Sequence, residues 1–160
     1  MSSMPNSNAS RPDKYLLPEA LEPDLLRVRT YWDGLKRGEA QMPFSDDVNL
    51  SSLSDLAGDA LLLEVFENPL RFRINIAGQQ LTRNYGSALE GKFTDEITLR
   101  PPLDELTEQC LVTVRRRAPS YHRRPPTPGR GGDAGYARLV LPLWGNGRVE
   151  TLLCTVVAPR

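Results

Sequence analysis

The chain has 160 residues, enough for one domain with a substantial core and short for two. Its 20 Lys and Arg residues balance 20 Asp and Glu residues, so no global field draws it onto nucleic acid or an anionic membrane, and partners have to be argued locally. Cys110 and Cys154 lie in apolar segments without CxxC spacing, as reduced buried side chains do; the N-terminus lacks a signal-peptide core, and no apolar run reaches the roughly 20 residues that span a bilayer, so the expectation is a soluble cytoplasmic protein.

Residues 1–22 are rich in Ser, Asn and Pro and are expected as a disordered tail, with residues 23–160 as a single domain. From Asp24, a suitable N-cap, Leu25, Val28, Trp32 and Leu35 recur at helical spacing, and Gly38 is a stop signal. A polar connector and a short helical turn near 51–57 follow. Then the period changes: ALLLEVFE (60–67) and RFRINIA (71–77) read as two antiparallel strands about the Asn68-Pro69 turn, with Phe72, Ile74 and Ile76 on one face.

GQQLTRNYGSALEGK gives short helical pieces broken at Gly86 and Gly91. Pro101-Pro102 opens a longer helix, its buried stripe formed by Leu103, Leu106, Cys110 and Val114, with acidic residues at its start and Arg115, Arg116 and Arg117 at its end, as the helix dipole favours. SYHRR reads as a strand, the stretch of about 125–135 as a flexible loop, and YARLVLPLW and VETLLCTVVA as a hairpin closed by Gly145-Asn146-Gly147. Pro142 lacks a ladder donor and marks an edge-facing position or a bulge.

Several short features fall in this order: Tyr31-Trp32, Pro43, Asn68-Pro69, the run from Phe72-Arg73-Ile74 to Gly78, Tyr85-Gly86 with Leu89-Glu90-Gly91-Lys92, and Arg138-Leu139-Val140-Leu141-Pro142-Leu143. Over residues 25–158 they resemble the PAS sensor domain, and more narrowly a stand-alone bacterial PAS subfamily of alphaproteobacterial type. The resemblance implies an α+β fold: a five-stranded antiparallel sheet of strand order 2-1-5-4-3 with helices on one face, here with an added N-terminal amphipathic helix. The glycine after the second strand then turns the backbone off the sheet, and Gly86 and Gly91 let short helices fold back as the lid of a pocket. Inward periodicity and the resemblance together give the pocket as Ile74, Ile76, Tyr85, Leu89, Leu106, Cys110, Leu139, Leu141 and Cys154.

Flavin-binding photosensors of the family carry a reactive cysteine in the lid helix, where this chain has Arg83-Asn84-Tyr85-Gly86. Haem-binding members commonly place a histidine in the long helix, and residues 102–117 contain none. Both cofactors are disfavoured, none is predicted, and an unidentified small ligand is the remaining expectation. His122 has arginine and tyrosine neighbours rather than tuning carboxylates, and reads as a solvent-facing strand residue. Arg115, Arg116, Arg117, Arg123 and Arg124 form the one local basic concentration, a candidate patch for an anion or acidic partner that is more simply a helix end and an edge strand. No aromatic interleaving accompanies them, so nucleic acid is not expected. The scattered carboxylates show no metal-ligand spacing, and neither a metal nor an enzyme is expected. Leu25, Val28, Tyr31, Trp32 and Leu35 suit either a homodimer contact or a cap on the open face of the sheet. The expected function is a sensory or regulatory module acting through a small ligand, a signalling partner or dimerisation; the alternatives are a small α+β enzyme or metabolite-binding protein using the same concavity, and a ligand-free adaptor.

Overall fold

The computed structural model describes residues 14–132 and 134–158. Five antiparallel strands, β1 (Ala60–Phe66), β2 (Arg71–Ala77), β3 (Ser120–Arg124), β4 (Tyr136–Gly145) and β5 (Arg148–Val157), form one sheet of order β2-β1-β5-β4-β3, the order that the PAS resemblance implies. Helix α1 (Pro23–Leu35) precedes the sheet; α2 (Gln79–Tyr85) and α3 (Leu106–Arg116) fill the connection between β2 and β3. Among the described residues no helix is long and apolar enough to cross a membrane.

Local chemistry explains most boundaries. Helix α1 starts two residues earlier than expected, with Glu22 rather than Asp24 as N-cap and Pro23 in the first turn, where its missing N–H has no intrahelical partner to lose. Helix α3 starts later than Pro101-Pro102 suggests, because Glu105 sits at φ 63°, outside the helical region, and only Glu108 remains in the acidic first turn. Gly86 and Gly91 do occupy positive φ, at 90° and 84°. Gly78 does not. Its φ is −60°, and its glycine is required by close approach: a Cβ there would lie 2.3 Å from the carbonyl oxygen of Gly58. Asn146 and Gly147, both at positive φ, close the β4–β5 hairpin as the Asn-Gly pair predicts.

Both sheet edges are covered, which removes the hazard of unpaired strands. On β2, Ile74 N–H donates to Lys92 O and Thr94 N–H donates to Phe72 O. On β3, Tyr121 N–H donates to Tyr15 O at 2.8 Å. Residues 1–13 of the expected tail lie outside the described residues, but 14–22 do not behave as a tail: Tyr15 is buried, and Leu17 and Leu21 pack against the core. Pro142 lies past Val140, the last β4 residue paired with β3, and its carbonyl accepts the indole N–H of Trp32 at 2.9 Å.

The sheet has two covered faces. Tyr121 pairs with Leu139 and donates its hydroxyl to Glu22, the cap of α1, so α1 lies over the face carrying Leu139, Leu141 and Leu153. Leu25, Val28 and Trp32 are fully buried there. This corrects the dimer-contact reading of that stripe: it is consumed by the chain's own sheet, with Tyr31 and Leu35 half-buried beside it. Arg138 bonds to Gln109 of α3, so the alternate residues Arg138, Val140 and Cys154 face α3.

Candidate functional site

Seen from this register, the expected pocket residues do not share one chamber. Ile74, Leu106, Cys110 and Cys154 are fully buried on the α3 side, with Tyr85 and Leu89 of the lid region also buried. Leu139 and Leu141 are equally buried but point the other way, under α1. Ile76 is 43 % exposed. The cause is a bulge: Leu62 pairs with Ile76 and Leu63 with Ile74, which leaves Asn75 as the extra residue and reverses the face of everything after it. Phe72 and Ile74 remain inward, and Ile76 turns out.

What the α3 side holds instead is a buried polar network. Arg138 is 0 % exposed, as are Gln109 and Thr113 of α3. Arg138 Nε donates to Gln109 Oε1 at 2.7 Å, and its Nη1 donates to the carbonyl oxygens of Pro102 and Asp104 at 3.0 and 2.9 Å. Gln109 Nε2 donates to Ser120 Oγ at 2.9 Å, and the Thr113 and Ser120 hydroxyls lie 2.7 Å apart. Helix α3 is therefore rotated from the expected stripe: Gln109 occupies a buried position, and Val114 is only half-buried. The omission of Arg138 has a clear origin. YARLVLPLW reads as one apolar run with an arginine in it; a strand covered on both faces makes every position interior, the arginine included.

A second polar layer borders the network. Asp104 accepts from the hydroxyl of Tyr136 and from Arg124 Nη1, at 2.6 Å for the latter. Burial pushes the Asp104 carboxyl up, but those two donors outweigh it and hold the group below the usual carboxylate range. Tyr15 Oη donates to Glu105 and Glu108 at 2.8 and 2.6 Å, and Lys14 Nζ lies 3.1 and 3.2 Å from the same carboxylates. His122 lies between the rings of Tyr15 and Tyr136, at centroid distances of 5.6 and 5.8 Å, half-buried rather than solvent-facing. Burial, with Arg138 nearby, lowers its pKa. Asp104, Glu105 and His122 bring ligand-type atoms within 4.8 Å of one another, but the carboxylate oxygens are already engaged by hydroxyls and cations.

The five arginines do not form one patch. Arg115, Arg116 and Arg117 end α3, where Arg117 stacks on Trp144 at 5.3 Å; Arg123 and Arg124 close β3 beside Glu22 and Asp104. The two thiols are inert. Both lie in the core, on α3 and β5 rather than on α2, and burial pushes them up, Cys154 to about 12.

A cleft of about 560 Å³ opens where β4 begins and β5 ends, lined by Asp24, Asp59, Gln80, Leu81, Asn84, Pro101, Pro102, Tyr136 and Val156 among others. It adjoins the Arg138 network: Pro102 accepts from Arg138, Val156 pairs with it across the ladder, and the Tyr136 ring lies 5.6 Å from its guanidinium. Nothing in the sequence marked this cleft, because its walls come from six separate segments.

No protein-family model matches the chain, and no curated protein matches it. Among solved structures, it is similar to a fungal LOV-domain photoreceptor, with 16% sequence identity and a TM-score of 0.44 over 84% of this chain and 88% of that one. A likeness at that level decides nothing about ligand or activity.

Proposed function

We propose that the chain is a PAS-type sensory or regulatory module of bacterial signal transduction, responding to a small ligand on the α3 side of its sheet and passing the change to a partner or a second copy. The observation that carries this reading is the polar interior beneath α3. A domain whose only task is to hold together gains nothing from burying a guanidinium among neutral acceptors, since apolar groups of equal volume are often as stable or more so. A binding module has a use for it. Support also comes from the strand order and from helices packed between β2 and β3, although fold by itself does not assign function. A ligand with different affinity for two packings of α3 and the lid shifts their populations, and that shift is the signal. With the α1 stripe consumed, self-association in this reading uses another surface.

The test is native mass spectrometry of the purified chain, preceded by an absorbance scan through the near-ultraviolet and visible. A co-purifying small molecule without a flavin or haem band supports the reading. A flavin or haem band overturns the cofactor expectation, and an apo dimer shifts the weight to partner signalling.

A further inference from the structure

We propose that Arg138 anchors the carboxylate of a small organic acid that enters through the cleft beside Pro102, Tyr136 and Val156; this rests on the ligand-binding reading above. Arginine carries a permanent charge, and the guanidinium of Arg138 is completely buried. Its Nε and Nη1 are taken by one side-chain amide and two backbone carbonyls, all neutral. Its Nη2 is buried without an acceptor among the described residues. Asp104, whose charge acts on the same region, gives its own carboxylate oxygens to Tyr136 and Arg124. A buried charge without a paired counter-ion is strongly unfavourable, and a carboxylate is the counter-ion that arginine's planar donors fit.

The cleft supplies the approach: Arg138 is not on its lining but lies one layer behind it. Three of its lining residues are Arg138's own neighbours: its hydrogen-bond partner Pro102, its cross-strand partner Val156, and Tyr136 two residues along the same face of β4. Its volume, about 560 Å³, is that of a metabolite site.

The lining also bears on the class. Among the described residues it contains no Lys or Arg; Asp59 stands on it, as does Asp24, which Arg27 already holds at 3.3 Å. Burial pushes the Asp59 carboxyl up, with the negative charges of Asp24 and Asp55 adding to the effect. A phosphate or a dicarboxylate meets repulsion there. A monocarboxylate meets less of it, and one that also carries an amino group gains from Asp59. Leu81, Val156 and Val157 leave apolar surface for a short side chain, and Gln80 and Asn84 offer amides. Small α-amino acids combine these properties.

The experiment titrates the full chain with L-alanine, acetate, succinate and inorganic phosphate, read by calorimetry and thermal unfolding. L-alanine is expected to bind saturably and raise the unfolding midpoint by about 5 °C at roughly a hundredfold excess over Kd. Acetate binds more weakly; succinate and phosphate weaker still. Arg138→Met should cost roughly a hundredfold in affinity, and Asn84→Trp, which fills the cleft from an exposed position, should weaken binding without touching Arg138. If Arg138→Met does not fold, Asn84→Trp decides, and unchanged affinity there overturns the site. Binding that survives in a folded Arg138→Met overturns the role of Arg138 and leaves the ligand-binding reading standing. A folded wild-type chain that binds none of the four overturns the assignment, and one that also carries no co-purified molecule takes the ligand-binding reading down with it.

Discussion

The two faces of the sheet are built from one strand and differ in kind. Under α1, β4 presents Leu139, Leu141 and Leu143, with Leu153 of β5 beside them and Trp32 above, all buried. Under α3 the alternate residues of that strand include Arg138, held by Gln109 and the carbonyls of Pro102 and Asp104. The first face is a dry seam whose contribution scales with apolar area. The second contains hydrogen bonds that are costly to leave half-made. Stability and ligand response are therefore expected to separate by face, although both faces share the same backbone.

The largest effect belongs to the dry face. Trp32→Ala removes a fully buried ring and its hydrogen bond to Pro142, and should cost about 3–5 kcal/mol in denaturant unfolding. A loss below about 1 kcal/mol would mean that α1 is an appendage rather than half of the core.

Gln109→Ala comes next. It leaves Arg138 Nε without its acceptor and takes one of two side-chain partners from Ser120, which keeps Thr113, and should cost about 2 kcal/mol despite alanine's better helix propensity. It should also change ligand response, which Trp32→Ala in a still-folded protein should not. If the two variants affect binding alike, the separation by face fails.

The smallest effect is a pH dependence at the rim. The hydroxyl of Tyr15 holds Glu108 below the usual carboxylate range, burial opposes this, and Lys14 assists it. A carboxyl depressed in the folded state contributes stability above its unfolded pKa, and that contribution is lost as pH falls through the folded value. Glu108→Gln should therefore lower stability slightly at neutral pH and flatten the acid limb below about pH 4.3. The group is half exposed, so solvent screening keeps the effect small. An unchanged acid limb would remove the Tyr15–Glu108 bond from the account of how residues 14–22 are held.

Much of this fold was legible in the sequence, for physical reasons that also mark the limits. Strands of alternating or continuous apolar residues, turns at Asn68-Pro69 and Asn146-Gly147, and glycines at positive φ are local signals, and they located all five strands and the Gly86 helix stop. The bulge at Asn75 has no local signature, so Ile76 was read as inward. Leu139 and Leu141, expected in the pocket, are buried on the opposite face, because a strand covered twice gives no clue to which face is which. Arg138 was missed because an arginine in an apolar run reads as a surface residue until the second layer is known to exist. The cleft, made by segments far apart in the chain, needs the tertiary structure before it can be seen at all.

The most direct test of the functional claim follows Arg138 itself: ¹H–¹⁵N spectra that resolve its Nε–H and the backbone amides, recorded while L-alanine is added to the full chain. The account predicts that Arg138 Nε, Gln109 and the amides of α3 and of the cleft shift together and saturate, while Leu139, Leu141 and α1 hold still. Shifts concentrated on α1 and its face of the sheet, or a still Arg138 under saturating ligand, would contradict it.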